Sequence, residues 1–334
     1  MTTILVTGGA GFIGNCFIRR MLNEHPDYKI INLDALTYAG NIENLNDIKN
    51  NPNYEFVHGN ICDKNLVPQL VENVDAIVNF AAESHVDRSI TGPEIFIETN
   101  VKGTLNLLQA AKQFKIERYL QVSTDEVYGS LGKTGFFTET TPLAPNSPYS
   151  ASKASADMLV RAYFETYKTP VLTTRCSNNY GPYQYPEKLI PFFISQLLKG
   201  EKVSVYGDGM NVRDWLYVYD HCAAIDAVLH KGKVGEVYNI GGHNEKTNLE
   251  ITKLILDAMG KDESSIKYVE DRLGHDKRYA ICNDKIQSKL GWQPSLTFEE
   301  GIKLTIDWYL NNQEWMKTIE DKKTRGEEDR LITK

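Results

Sequence analysis

The chain has 334 residues, 41% of them hydrophobic and 24% charged, enough for one large domain or a large and a small one. A formal charge of −7 argues against nucleic acid or an anionic membrane as the main partner, while leaving room for a local basic pocket. Five cysteines (Cys16, Cys62, Cys176, Cys222, Cys282), odd in number and never in a C-x-x-C pair, favour a reduced, cytoplasmic protein over a disulfide framework or a zinc site. No basic, apolar leader precedes the first strand, and no apolar run approaches membrane-spanning length, so a soluble protein is expected.

Short β-branched runs predict strands at 3–7, 28–34, 54–57, 75–80, 118–123 and 171–175. Amphipathic stretches predict helices at 12–23, 93–114 and 149–167. This alternation with apolar strands implies an α/β fold, a doubly wound parallel sheet of Rossmann type covered on both faces. From about Asn178 the alternation loosens. Asn239-Ile240-Gly241-Gly242 and Asp271-Arg272-Leu273-Gly274-His275 are read as loops of a smaller α/β lobe. The expected division is 1–177 for the dinucleotide-binding domain and 178–330 for the substrate lobe, with some later segments returning to the first. The charge-rich stretch 320–334 reads as a solvated end.

Thr7-Gly8-Gly9-Ala10-Gly11-Phe12-Ile13-Gly14 follows the first strand and opens the first helix. Gly8 permits the tight turn, Gly11 lets the backbone approach a pyrophosphate, and Gly14 allows close helix–strand packing. The helix N-terminus then offers N–H groups and a positive dipole end to the phosphates. Asp34 ends the second strand twenty residues after Gly14, where an acid holds a ribose 2′-hydroxyl. Ala35, Leu36 and Thr37 include no arginine for a 2′-phosphate, so NAD is expected rather than NADP.

Ser147-Pro148 starts the third helix, with the serine as N-cap and the proline in the first turn. Tyr149 and Lys153 then share one face at i and i+4, and an ammonium beside the phenol is expected to lower its pKa for proton abstraction. The stretch Ser123-Thr124-Asp125-Glu126-Val127-Tyr128-Gly129 adds two carboxyls that a simple alcohol oxidation does not use. They suggest an acid and a base, hence loss of water, and the residues alone permit either assignment.

In these motifs the chain resembles the extended short-chain dehydrogenase/reductase superfamily over essentially its whole length, and within it the nucleoside-diphosphate-sugar 4,6-dehydratases. The resemblance rests on residues 7–14, 81–90, 123–129 and 149–153, on Ser177-Asn178-Asn179-Tyr180-Gly181-Pro182 and on Arg213-Asp214-Trp215. It implies a redox-neutral dehydration of a thymidine-diphosphate sugar. Tyr149 takes the 4-hydroxyl proton as hydride passes from C4 to NAD, Glu126 removes the C5 proton, and Asp125 protonates the departing C6 hydroxyl. Hydride then returns to C6. Thr124 is implied to hydrogen-bond the C4 oxygen, and Lys153 to assist Tyr149.

The resemblance also implies a cofactor pocket. Phe12 and Ile13 meet the pyrophosphate, Asp34, Ala35, Leu36 and Thr37 line the adenosine ribose, and Asn60 and Ile61 face adenine, with Asn60 standing where the family often has Asp. Phe80, Ala81, Ala82, Glu83, Ser84, Thr99 and Asn179 complete the pocket. Ser84, Thr124 and Asn178 are implied to touch the sugar and phosphates. Lys188, Leu189, Tyr206, Arg213, Asn248, Arg272 and His275 hold the nucleotide half, the two arginines as diphosphate clamps. Ser204 replaces the proline common at the base pocket. His85 is read as a histidine held in its loop by hydrogen bonds, and no metal is expected. A homodimer through 93–114 and 149–167 is the family expectation. A 4-epimerase, a dehydratase for another nucleotide, and a silent NAD-binding scaffold remain as alternatives. The Asp125–Glu126 pair speaks against epimerisation, and the presence of both Tyr149 and Lys153 against a silent scaffold.

Overall fold

Residues 2–271 and 276–321 are described in the computed structural model, so Arg272, His275 and the stretch 322–334 lie outside the described residues. Seven strands form one parallel sheet: β1 (Thr3–Thr7), β2 (Lys29–Asp34), β3 (Tyr54–His58), β4 (Ala76–Asn79), β5 (Arg118–Thr124), β6 (Val171–Cys176) and, from the second half of the chain, Val237–Ile240. The order is Val237–Ile240, β6, β5, β4, β1, β2, β3. Order therefore reverses between β1 and β4, the switch point where open α/β sheets leave a crevice at their carboxyl ends.

Period-two alternation sorts the strand side chains into two cores. Ile4, Val6, Ile30, Ala76, Val78, Leu120 and Val122 point toward the helices Phe12–Glu24 and Val218–Lys231. Leu5, Ile31, Leu33, Ile77 and Tyr119 point toward Leu66–Val71, Thr104–Phe114 and Pro148–Tyr167. The smaller lobe has its own core around Tyr180, Phe193, Trp215, Ile251 and Phe298. The remaining strands in chain order are β7 (Asn178–Tyr180), β8 (Val203–Tyr206) and β9 (Val212–Tyr217) in the lobe, β10 (Val237–Ile240) in the main sheet, and β11 (Glu245–Thr247) and β12 (Ile266–Val269) in the lobe again. β9 pairs with β7 in parallel and β11 in antiparallel, and β8 pairs with β12.

Two expectations are corrected. Asn239 and Ile240 are not in a loop but end β10, which pairs with β6 at Asn239↔Arg175 and Ile240↔Cys176. A four-residue strand flanked by glycines carries too short a period to read in sequence. The expected helix at 93–114 is interrupted. Glu94–Phe96 and Thr104–Phe114 are α-helical, but Ile97–Gly103 forms a wider turn with i→i+5 bonding. Such bulges re-aim side chains near functional sites. Here Asn100 Oδ1 accepts from the Glu83 N–H at 2.8 Å, while its Nδ2 donates to the Glu83 carbonyl at 3.0 Å and to Ser152 Oγ at 2.8 Å.

One buried ion pair ties these pieces together. Arg175 Nε on β6 lies 2.8 Å from Asp157 Oδ2 on the Pro148–Tyr167 helix, the side chains being 8% and 2% exposed. Its guanidinium also donates to Tyr128 Oη at 3.0 Å, which in turn donates to Asn239 Oδ1 at 2.7 Å. Arg175→Met strands the Asp157 charge in the core. Urea denaturation should show a loss of about 3–5 kcal/mol, and a loss below about 1 kcal/mol would show that this pairing is dispensable.

Candidate active site

A cavity of about 320 Å³ runs along the carboxyl ends of β1, β2, β4 and β5, from the glycine loop to Tyr149 and Lys153. At the loop, Gly8 has φ +74°, and a Cβ there would lie 2.7 Å from the Ala81 nitrogen. A Cβ on Gly14 would reach 2.4 Å from the Gly8 carbonyl oxygen. Around Gly11, by contrast, a Cβ would meet only the Gly8 oxygen, at 3.3 Å, so this glycine leaves open space above the helix start. Gly11 caps the Phe12–Glu24 helix with no side chain over it, which leaves the first-turn N–H groups directed at that space.

Asp34 is buried, and its carboxylate accepts from the Ala10 N–H and the Leu36 N–H, each at 2.8 Å. It thus braces the glycine loop, while each oxygen keeps a lone pair for a ribose hydroxyl. Burial raises its pKa and the two N–H groups oppose that rise. Asn60 Oδ1 accepts from the Cys62 N–H at 2.8 Å and likewise keeps acceptor capacity. The loop, Asp34, Ala35, Thr37, Asn60, Ile61, Phe80, Ala81, Ala82, Ser84, Thr99 and Asn179 all line the cavity. This cradle of open glycine, anchored acid and uncapped helix fits a dinucleotide, and the absence of arginine at 35–37 fits an unphosphorylated ribose.

At the other end, β5 stops at Thr124, whose hydroxyl caps the short turn Asp125–Tyr128 by accepting from the Glu126 N–H at 3.3 Å. Cap and turn present Asp125 and Glu126 side by side at the sheet's edge. Asp125 is 1% exposed, and its Oδ2 has no hydrogen-bond partner among the described residues. Burial, then the negative charges of Glu126 and Asp214, push its pKa well above the ordinary carboxyl value, with the Arg213 charge opposing. Glu126 is only half-buried. The two neighbours therefore have different environments, one dry and flanked by negative charge, the other reached by water.

Tyr149 sits on the Pro148–Tyr167 helix, whose start is the expected capping arrangement: Ser147 accepts from the Ser150 N–H, with Pro148 next in line. The electrostatics of Tyr149 differ from expectation. Lys153 Nζ donates to the Val122 carbonyl on β5 at 2.7 Å, and it is burial and the Glu126 charge that dominate the phenol, raising its pKa well above the usual value. The i, i+4 spacing puts the lysine on the right face, but the strand carbonyl sets where its ammonium points.

Lys188 and Asn178 line the cavity, Lys188 Nζ donating to the Ser84 carbonyl at 3.2 Å. Leu36, Leu189, Tyr206, Arg213 and Asn248 lie outside its lining. Arg213 is buried, donates to the carbonyls of Val212 and Asp276 at 2.8 and 2.9 Å, and lies 4.4 Å from the Tyr279 ring centre. Its charge still reaches Asp125. His85 caps the Val86–Thr91 helix, its Nδ1 accepting from the Arg88 N–H at 3.3 Å, as read from sequence.

Residues to which the sequence assigned no individual role also shape the site, Glu83 among them only as part of the 80–84 stretch of the cofactor pocket. Glu83 Oε2, Ser123 Oγ, Ser177 Oγ and Gln184 Oε1 line the cavity, buried and without hydrogen-bond partners among the described residues, and burial raises the Glu83 pKa. Asp214, buried on β9, accepts from the N–H groups of Asn244 at 2.8 Å and Gly242 at 3.0 Å and adds its charge to Asp125. Glu83 and Asp214 stand inside the 81–90 and 213–215 motifs, which was the available signal.

Residues 5–305 match the family model described as GDP-mannose 4,6 dehydratase. The chain is 55% identical over 341 residues to the dTDP-glucose 4,6-dehydratase of Xanthomonas campestris pv. campestris (strain B100), covering 96% of this chain and 97% of the relative. It superposes on the crystal structure of dTDP-glucose 4,6-dehydratase from Bacillus anthracis in complex with NAD with a TM-score of 0.90, at 56% identity over 96% of this chain and 100% of that one. The dTDP-glucose 4,6-dehydratase of Streptomyces venezuelae, with NAD and TYD bound, gives a TM-score of 0.93 at 51% identity over 95% and 100% of the two chains. With the glycine loop, the Tyr149/Lys153 helix and the paired carboxyls on one cavity, these matches show that the chain belongs to the nucleotide-sugar 4,6-dehydratase family of the short-chain dehydrogenase/reductase type.

Proposed function

We infer that this chain is an NAD-dependent hydro-lyase that converts dTDP-glucose to dTDP-4-keto-6-deoxyglucose and water. The observation that carries this reading is the buried carboxyl of Asp125, whose Oδ1 accepts only from the Thr124 hydroxyl at 3.4 Å and whose Oδ2 has no partner among the described residues, beside half-buried Glu126 on the wall that also holds Tyr149. Epimerisation needs neither carboxyl.

NAD, when bound, accepts the C4 hydride, returns it to C6, and brings a positive nicotinamide charge that favours the Tyr149 phenolate. Tyr149 abstracts the 4-hydroxyl proton, with Thr124 hydrogen-bonding the same oxygen. The resulting 4-keto group acidifies C5–H, and Glu126 takes that proton. Asp125, kept protonated by its surroundings, gives its proton to the C6 hydroxyl, which leaves as water. Glu83, Ser123, Ser177 and Gln184 carry unsatisfied polar atoms on this wall, a cost of about 1–3 kcal/mol each that ligand hydroxyl and amide groups relieve. Ser84 and Asn178 bind the sugar and phosphates, and Lys188, on the same cavity wall, is assigned to the nucleotide half. Leu189, Tyr206, Arg213 and Asn248 are assigned to the nucleotide half.

Incubating the protein with dTDP-glucose should give a product lighter by one water in the mass spectrum. Unchanged mass with a new sugar stereocentre would replace the reading with an epimerase. Faster turnover of UDP- or GDP-glucose would move the nucleotide preference.

A cytoplasmic homodimer belongs to the same proposal. Among the described residues no helix is long and apolar enough to cross a membrane. Ile95, Ile97 and Met158 expose apolar surface on the helical segments expected to pair. Sedimentation at micromolar concentration should report twice the chain mass; a monomer contradicts it.

A further inference from the structure

We propose that His25, Asp226 and His230 form a divalent-metal site of zinc-binding chemistry, separate from the active site. His25 follows the Phe12–Glu24 helix, and the other two lie on Val218–Lys231. The two helices run side by side in the same direction. Cys222 Sγ donates to the Ile13 carbonyl near the glycine loop, and Asp226 and His230 meet His25 at the far ends. The Phe12–Glu24 helix, about 20 Å long, separates His25 from the glycine loop.

The donor atoms already converge. His25 Nε2 lies 3.0 Å and His230 Nδ1 2.9 Å from the same oxygen, Asp226 Oδ1, and all three atoms lie within 4.8 Å of one another. Around a tetrahedral zinc with bonds of about 2.0–2.2 Å, neighbouring ligand atoms stand roughly 3.3 Å apart, so the two nitrogen–oxygen pairs need to open by only a few tenths of an ångström. The surrounding groups hold these atoms in place. Arg20 Nε binds the other carboxylate oxygen, Oδ2, at 2.8 Å and leaves Oδ1 to the rings. His230 Nδ1 also lies 2.9 Å from the Asp226 backbone carbonyl, a contact that metal binding at Nδ1 replaces, and Tyr28 Oη, 3.0 Å from Nε2, can accept the ring proton in the tautomer that binds metal. The imidazoles of His25 and His230 stack at 4.6 Å and 23°, with Tyr28 stacked on His25 at 4.8 Å.

The side chains are about a quarter exposed at the two histidines and 10% at Asp226, leaving the fourth position to water. Binding replaces the ring protons shared with Oδ1, so zinc and protons compete, and the Arg20 charge on Oδ2 opposes the added cation. Because the ligands come from two helices, the ion cross-links them.

The test uses the full chain stripped with a chelator and titrated with zinc sulfate against a chromophoric zinc indicator at neutral pH. One zinc per chain is expected, with a rise in thermal midpoint, and at least about tenfold weaker binding in the double variant His25→Gln/His230→Gln. Saturation below one equivalent, or undiminished binding by that variant, overturns the proposal. A Co2+ spectrum of the unaltered chain provides a test that does not depend on the variant folding. Tetrahedral d–d bands without thiolate charge transfer support the cluster, whereas thiolate bands assign the ion to a cysteine and overturn it.

Discussion

Glu126→Gln is expected to abolish exchange of solvent deuterium into C5 of the sugar and to lower turnover by about 10²–10⁴-fold, the usual contribution of a positioned base. Glutamine keeps the shape of the side chain and its place in the Asp125–Tyr128 turn, so NAD should still bind along the glycine loop and Asp34. Oxidation at C4 does not use this carboxylate. The variant should therefore accumulate a 4-keto sugar that still carries its C6 hydroxyl, identifiable after borohydride trapping. Removing the negative charge also relieves its upward pressure on the Tyr149 and Asp125 pKa values. Retained exchange at C5 would take the base role away from Glu126.

Asp125→Asn should give the complementary result. Exchange at C5 continues, while water loss slows by about 10²–10⁴-fold, because an amide cannot deliver a proton to the leaving hydroxyl. If the two phenotypes appear exchanged, so are the acid and the base. The pH behaviour has a definite sign. Asp125 must be protonated to act, and burial with flanking negative charge raises its pKa, so elimination falls as pH rises through that raised value. The same shift acts on stability. The folded chain holds this proton more tightly than the unfolded one, so Asp125 costs stability as pH rises above about 4, the ordinary aspartate value. Asp125→Asn should accordingly eliminate water slowly yet be no less stable than the parent at neutral pH in urea denaturation.

The Asp125–Glu126 dipeptide is visible in the chain, but its division of labour comes from the fold. Burial of Asp125 depends on where β5 ends. The negative charge opposite it comes from Asp214 on β9, whose carboxylate is held by backbone N–H groups of the loop after β10. Those segments are some ninety or more residues away, and no local pattern foretells the field they create. Lys153 is similar: spacing places it beside Tyr149, and only the Val122 carbonyl decides that its ammonium reaches β5. The interrupted helix at 97–103 follows the same logic, since Asn100 is turned there to hold the backbone of Glu83.

By itself the sequence determined what short-range stereochemistry controls. Strand alternation sorted Ile4 and Val6 from Leu5. Glycine spacing opened the first helix to a phosphate, Asp34 followed at the ribose distance, and Ser147-Pro148 started the helix that aligns Tyr149 with Lys153. These depend on periods of two and 3.6 residues and on the steric freedom of glycine, which a few neighbouring residues specify. Only the tertiary structure decided the return of β10 to the main sheet, the orphaned polar wall around Glu83, and the dryness that makes one of two adjacent carboxyls an acid. Desolvation and Coulomb energy are sums over everything that packs nearby, and what packs nearby is settled by long-range topology.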